Sequence, residues 1–87
     1  MATLIIYTTP YCPYCSRAKQ LLDHKQVSYQ EIDVSDRSLR PDMTKITGGT
    51  TVPQIIIDGE PKGGCDELYA LERSGELDKL LGLTQTI

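Results

Sequence analysis

Short apolar runs alternate with amphipathic stretches along this chain, and the alternation predicts strands and helices in turn. Residues 3–8 form an apolar, β-branched run, and residues 27–34 alternate loosely between apolar and polar side chains, so both segments are predicted strands. Residues 16–25, between them, carry apolar side chains at the i, i+3, i+4 spacing of one buried helix face. These side chains are Ala18, Leu21 and Leu22. A strand, a helix and a strand within about 30 residues predict a right-handed parallel unit.

A second helix and a hairpin are predicted next. Residues 36–47 form a weaker helical pattern that Gly48-Gly49 ends, with Leu39, Met43 and Ile46 on one face. Residues 54–57 are an apolar run followed by Asp58-Gly59, which is a strong signal for a hairpin turn. Residues 60–63 then form a short last strand, and Pro61 confines this strand to a sheet edge or to the strand start.

The C-terminal part of the chain predicts two helices. The first opens at Gly64-Cys65-Asp66, stops at Gly75 and turns Leu68 and Leu71 inward. The second is short and carries Leu77, Leu80 and Leu81, and residues 83–87 are expected to fray. The predicted order is β-α-β-α-β-β-α-α, which indicates an α/β fold with a four-stranded mixed sheet flanked by helices. We expect residues 1–87 to form a single domain.

Composition excludes several classes of protein. The chain has 87 residues, a net charge of −3 and no run of basic residues, which argues against a nucleic-acid-binding protein. No apolar stretch reaches the length of about 18 residues that a membrane span needs. The start of the chain has no charged segment before its apolar run, so we expect no secretory signal. Three cysteines, two of them close together, favour a cytoplasmic protein with a working dithiol over a secreted disulfide scaffold.

The two close cysteines form the motif Cys12-Pro13-Tyr14-Cys15, which lies between a predicted strand and a predicted helix. This context is the thioredoxin-like redox arrangement, because a helix N-terminus stabilises the thiolate that attacks disulfides. Cys12 is predicted at or before the helix start, and Cys15 one turn inside. A structural disulfide is the other interpretation, but so short a loop contributes little stability. A structural zinc site is not expected, because His24 is nine residues beyond Cys15 on the same helix, a rise of about 13.5 Å.

Several motifs together resemble those of the dithiol glutaredoxins, specifically the small bacterial class with a C-P-Y-C active site. Besides the cysteine motif, they are Ile6-Tyr7-Thr8, Thr50-Thr51-Val52-Pro53-Gln54-Ile55 and Gly63-Gly64-Cys65-Asp66-Glu67-Leu68. Their order and spacing match nearly the whole chain. The resemblance implies a thioredoxin-like fold, with Cys12 as the nucleophile and Cys15 as the resolving thiol.

The resemblance also implies a set of glutathione contacts. In the family, Pro53 is cis and faces the dithiol, which leaves the Val52 backbone free to pair with an extended peptide. The start of the helix at Gly64 would bind a carboxylate, and Asp66 would accept from an ammonium group. The residues alone also allow a strand-start proline, an ordinary helix cap and a buried filler role for Cys65. The implied contacts are Thr9, Tyr14, Thr51, Val52, Pro53, Gly64, Cys65 and Asp66.

The chain departs from the family at two positions. Thr9 replaces a common lysine, and Gly49 replaces an arginine of the small bacterial members. Both basic residues would contact the glycine carboxylate of glutathione or help to stabilise the thiolate. We therefore expect weakened glutathione binding, unless Lys45 or Arg37 compensates.

The leading hypothesis is a glutathione-dependent thiol–disulfide oxidoreductase that reduces protein disulfides and glutathione mixed disulfides. Glutathione would be a co-substrate, with no permanently bound cofactor, and ribonucleotide reductase is a client by resemblance. We expect a cytoplasmic monomer. One alternative is a redoxin reduced by thioredoxin reductase. Another is an iron–sulfur cluster carrier, which Pro13 and Tyr14 disfavour because cluster-binding relatives usually have one cysteine, with Gly and Phe in the motif.

Overall fold

The computed structural model describes residues 3–82, so the fraying predicted for residues 83–87 lies outside the described part of the chain. Four strands form one mixed sheet: β1 (Leu4–Thr8), β2 (Gln30–Asp33), β3 (Gln54–Ile57) and β4 (Glu60–Gly63). Four helices flank this sheet: α1 (Pro13–His24), α2 (Arg40–Thr47), α3 (Cys65–Ser74) and α4 (Glu76–Leu80). A 3₁₀ turn, Arg37–Leu39, precedes α2.

The order of strands in the sheet is β2-β1-β3-β4. β1 pairs with β2 in parallel and with β3 in antiparallel orientation, and β3 pairs with β4 through the turn at Asp58-Gly59. Both turn residues have positive φ, 52° and 82°, as a tight hairpin requires. β4 lies at the edge, where Pro61 interrupts no ladder on its outer side. The predicted thioredoxin-like fold with a four-stranded mixed sheet is confirmed.

The sheet is covered on both faces because successive side chains of each strand point to opposite sides. Leu4 and Ile6 of β1 face one side, in a core shared with α1, α3 and α4. Tyr7 faces the other side, where it packs with Val34 and with Met43 of α2. The dithiol lies where β1 leads into α1, so its position is set by the larger core cluster.

The apolar face predicted for α2 is only partly buried in the structure. Met43 is fully buried, but Leu39 and Ile46 are 41% and 53% exposed. Leu39 belongs to the 3₁₀ turn, which sets it out of register with the helix. The less exposed positions are Arg40, Met43, Thr44 and Thr47, which follow the spacing i, i+3, i+4, i+7. The other differences concern the boundaries of elements. The first helix begins at Pro13 and not at residue 16, and β2 begins at Gln30 and not at residue 27.

Candidate active site

Cys12 is the N-cap residue of α1, and its thiol is half-buried at the start of the helix. Its backbone is extended, with φ −111° and ψ 108°, and its Sγ accepts the N–H of Cys15 at 3.1 Å. Pro13 has no N–H to donate, and the first turn of α1 contains no acidic side chain. The sulfur therefore occupies the positive end of the helix, which favours negative charge on it.

Cys15 is buried one turn inside α1, with 1% of its surface exposed. Burial, which is the largest cause, and a hydrogen bond with the Cys12 side chain together raise the pKa of the Cys15 thiol to about 12. The backbone of Thr9 and the charge of Lys19 act in the opposite direction. The two thiols are thus different in character: Cys12 is accessible at the helix end, and Cys15 is shielded and protonated.

The loop before β3 faces the dithiol. The Val52-Pro53 peptide bond is cis, and the Cys12 thiol donates to the Val52 carbonyl with a sulfur–oxygen distance of 3.7 Å. Gln54 is buried, and its amide Nε2 donates to the Thr51 carbonyl at 2.9 Å. This side-chain bond fastens the loop from within, so the Val52 backbone is held beside Cys12.

The start of α3 forms the opposite wall. The Gly64 N–H donates to Glu67 Oε1 at 2.7 Å, which is one half of a capping box. The N–H groups of Cys65 and Asp66 follow it at the first two helical positions, and the Asp66 side chain is exposed. Cys65 is 5% exposed, and burial raises the pKa of its thiol. A buried thiol of raised pKa carries little thiolate, which fits a packing role for Cys65.

These walls enclose a shallow cleft of about 160 Å³ beside Cys12. Seven of the eight predicted glutathione contacts line it: Tyr14, Thr51, Val52, Pro53, Gly64, Cys65 and Asp66. The eighth, Thr9, is not in the lining. Glu67 also lines the cleft, and sequence reasoning missed it. The signal was present, because a glutamate three residues after a helix-opening glycine is the second half of a capping box.

The two departures from the family pattern lie outside the cleft lining. The backbone of Thr9 hydrogen-bonds the Cys15 thiol. A Cβ atom at Gly49 would collide with the side-chain amide of Gln54, the same amide that fastens the loop. Arg37 and Lys45 are exposed and do not line the cleft either. Among the described residues, the cleft therefore has two carboxylates, from Asp66 and Glu67, and no basic side chain.

Within residues 3–82, no group of three or more His, Cys, Asp or Glu side chains is arranged to hold a metal ion. His24 is exposed at the last position of α1, at the opposite end of the helix from Cys12. In the same part of the chain, no helix has the length and apolar character needed to cross a membrane.

Comparison with known proteins agrees with this geometry. A family model described as Glutaredoxin matches residues 4–61. The chain belongs to the glutaredoxin family. A Glutaredoxin of Pseudomonas aeruginosa is 54% identical over 82 residues, which cover 93% of this chain and 98% of the relative. Membership and the C-x-x-C geometry together make this protein a thiol–disulfide oxidoreductase.

Solved structures of relatives share the fold. The solution structure of Glutaredoxin from Brucella melitensis is 49% identical, with a TM-score of 0.82, over 100% of this chain and 96% of that one. The crystal structure of a buckwheat glutaredoxin–glutathione complex is 33% identical, with a TM-score of 0.86. That match covers 93% of this chain and 77% of the buckwheat chain.

Proposed function

We propose that this oxidoreductase uses glutathione as its reductant and acts on protein disulfides and glutathione mixed disulfides. The observation that carries the proposal is the position of Cys12. Its sulfur lies at the positive end of α1, 3.7 Å from the Val52 carbonyl, at the edge of a cleft lined by the start of α3. The buckwheat relative, solved as a complex with glutathione, supports the same choice of reductant.

The reaction on a glutathione mixed disulfide needs Cys12 alone. The Cys12 thiolate attacks the glutathione sulfur, the substrate disulfide breaks, and the substrate leaves as a thiolate that takes up a proton. A second glutathione, as its thiolate, then attacks the sulfur of the glutathionyl group. This step breaks the Cys12–glutathione bond, forms glutathione disulfide and restores the Cys12 thiolate.

The reaction on a protein disulfide needs Cys15 as well. Cys12 attacks one sulfur and frees the other substrate thiolate, and Cys15 then attacks Cys12 to release the second substrate thiol. The hydrogen bond and charge of Cys12 help to raise the pKa of Cys15 in the reduced protein. Both effects end when Cys12 is in a mixed disulfide, so Cys15 loses a proton more readily at the step that uses it. Two glutathione molecules then reduce the Cys12–Cys15 bond.

Glutathione has a chemical match in the cleft. Its γ-glutamyl end carries a carboxylate and an ammonium group on one carbon, and the start of α3 offers the Cys65 and Asp66 N–H groups beside the Asp66 carboxylate. Its cysteinyl part would pair with the Val52 backbone in the manner of an added strand. Its glycine carboxylate would meet no basic side chain of the cleft lining, which supports the expectation of weak binding.

The proposal extends to partners and location. A cytoplasmic monomer with ribonucleotide reductase among its clients follows from the family resemblance alone. The absence of the two basic residues also allows an alternative, in which thioredoxin reductase supplies the electrons. The experiment below distinguishes glutathione from thioredoxin reductase as the electron source.

The test is the turnover of glutathionylated cysteamine, with glutathione as the only reductant and glutathione reductase to recycle it. We expect turnover that Cys12→Ser abolishes and that Cys15→Ser retains. Reduction of a protein disulfide should require both cysteines. The proposal is wrong if glutathione supports no turnover while thioredoxin reductase rapidly reduces the oxidised protein.

A further inference from the structure

A second groove adjoins the cleft and has no role in the chemistry described so far. It has a volume of about 170 Å³ and lies between α1 and α3. Its lining consists of Arg17, Cys65, Asp66, Tyr69 and Arg73. Since Cys65 and Asp66 also line the cleft, the two concavities meet at the start of α3.

Helical spacing builds this groove. Asp66, Tyr69 and Arg73 are separated by three and four residues, so they lie on one face of α3. Arg17 faces them from α1, one turn beyond Tyr14 of the cleft. The Tyr69 hydroxyl donates to the Arg17 carbonyl at 3.1 Å, which ties the two helices together. The groove is therefore preformed on two rigid elements.

The charges of the groove are not balanced within the described residues. Four ion pairs occur in residues 3–82, all of them use lysine, and neither Arg17 nor Arg73 takes part. The Arg17 guanidinium lies 5.9 Å from the centre of the Tyr69 ring. One carboxylate, that of Asp66, accompanies the two guanidinium groups, so the groove carries a net positive charge on a protein of net charge −3.

We propose that this groove binds an acidic side chain of the protein substrate, located a few residues from the substrate cysteine. Arginine guanidinium groups bind carboxylates in a planar, two-pronged geometry, which suits Asp or Glu. A substrate chain longer than a tripeptide that lies in the cleft can continue into the groove, since the two share a wall. This inference rests on the proposed function and adds a preference among its substrates.

The charge of the groove would offset the repulsion between this acidic protein and acidic substrates. The net negative charge of the protein repels acidic clients at long range, and the cleft adds two carboxylates of its own. Two arginines beside the cleft reverse this repulsion locally and fix the register of the substrate chain. The groove would thus select acidic disulfide substrates that the cleft alone disfavours.

The test uses peptides that contain one internal disulfide and differ by a single Glu or Gln. This residue is moved from two to four positions away from each cysteine, and kcat/KM is measured with glutathione and glutathione reductase. At the best position, we expect the protein to prefer the Glu peptide by about fivefold. The double variant Arg17→Gln, Arg73→Gln should bring this ratio to about one. The matched control Lys79→Gln removes an exposed charge outside both concavities and should leave the ratio unchanged.

Turnover of glutathionylated cysteamine, which carries no peptide chain beyond glutathione, separates the two proposals. If the protein turns it over but shows no Glu preference at any position, the groove proposal is wrong and the proposed function stands. If the arginine variants raise the KM for glutathione equally with both peptides, the groove serves glutathione, and the inference is overturned. The absence of any turnover with glutathione would contradict the proposed function itself.

Discussion

Two helices begin at the walls of the same cleft, and their N-termini are occupied in opposite ways. At α1, the cap is the Cys12 sulfur, which accepts the Cys15 N–H at 3.1 Å, and the first turn has no acidic residue. At α3, the Gly64 N–H is taken by the Glu67 carboxylate at 2.7 Å, and the first turn carries Asp66 and Glu67. One helix end is therefore left for a reactive anion, while Glu67 caps the other and Asp66 adds a second carboxylate beside it.

This difference between the two helix starts assigns the reaction to α1 and the recognition of ligand to α3. A carboxylate in the first turn of α1 would compete with the thiolate for the positive end of the helix. At α3, Glu67 caps the helix and Asp66 offers a partner for an ammonium group, but both carboxylates also repel the carboxylates of a ligand. The cleft thus combines a cysteine at the positive end of one helix with a binding wall that is only partly favourable to an anionic peptide.

The largest expected effect comes from adding a cation near the start of α1. Thr9→Lys adds an ammonium group at the position where the family commonly has lysine, and the backbone of this position hydrogen-bonds the Cys15 thiol. We expect the apparent KM for glutathionylated cysteamine to fall by about three- to tenfold, because a charged hydrogen bond contributes more than a neutral one. Steady-state kinetics with glutathione held in excess measures the effect.

Gly49→Arg, at the second position that departs from the family, should improve glutathione binding less than Thr9→Lys. Gly49→Arg also adds a cation, but its Cβ would displace the Gln54 amide that fastens Thr51. We expect part of the gain in binding to be lost to disorder of the loop. An unchanged or higher KM for Thr9→Lys would count against the idea that missing basic residues weaken glutathione binding.

Much of this comparison could be predicted from the sequence. The strand–C-x-x-C–helix pattern placed Cys12 at a helix start, and Gly64-Cys65-Asp66 marked a second helix start. What the sequence could not provide was the contact between them. Only the three-dimensional structure shows that Arg17 of α1 faces Tyr69 of α3. Such contacts depend on how the helices pack, which local periodicity does not encode.

The apolar side chains of α2 do not mark its buried face, and the reason is related. Leu39, Met43 and Ile46 have a helical spacing, and so does the set that contains Arg40 and Thr44. Hydrophobicity favoured the first set, but the 3₁₀ turn and the location of the Tyr7 and Val34 side chains on the sheet selected the second. Patterns of this length in an eight-residue helix fit more than one face, and tertiary packing decides between them.

Removing the α3 cap should sharpen the comparison between the two helix starts. Glu67→Ala leaves the Gly64 N–H without its carboxylate, and we expect a loss of about 1 kcal/mol in the free energy of unfolding. The same variant removes negative charge from the cleft, so the KM for glutathionylated cysteamine should fall by about two- to fivefold. Urea unfolding and steady-state kinetics measure the two effects.

Glu67→Gln separates capping from charge. The glutamine side chain keeps an oxygen that can accept the Gly64 N–H, so this variant should retain most of the stability while showing the lower KM. If Gln and Ala variants lose stability equally, the Glu67–Gly64 bond is not the source of the capping effect.

A carboxylate introduced near the start of α1 should make this helix start resemble that of α3, which already carries acidic residues. Ser16 is exposed in the second half of the first turn, and Ser16→Asp puts a negative charge near the Cys12 sulfur. We expect the rate of Cys12 alkylation by iodoacetamide at fixed pH to fall by about twofold. Ser16→Asn controls for shape, and Gln20→Glu adds the same charge one turn further along, where the effect should be smaller. Equal rates in all four proteins would show that the helix end does not activate the thiol.

The smallest effect concerns the carboxylate that α1 does contact, which lies on β2. Glu31 accepts from the Thr8 hydroxyl at 2.6 Å and from Lys19 at 3.0 Å, and these hydrogen bonds hold the pKa of its carboxyl below the usual value. A lowered pKa in the folded state means that the stabilisation is present above the unfolded value of 4.5 and disappears as the pH falls through the folded value. Because both side chains are about one-third exposed, the contribution is small.

Glu31→Gln should therefore lower the free energy of unfolding by about 0.5 kcal/mol at pH 7, and this loss should shrink toward pH 3 as the wild-type carboxyl takes up its proton. Urea unfolding at both pH values measures the difference. Glu60→Gln is the matched control, because Glu60 pairs with Lys62 at the same 3.0 Å distance on the edge strand but is 72% exposed. A loss in Glu31→Gln that persists at pH 3 would mean that packing of this side chain, and not its charge, supports α1.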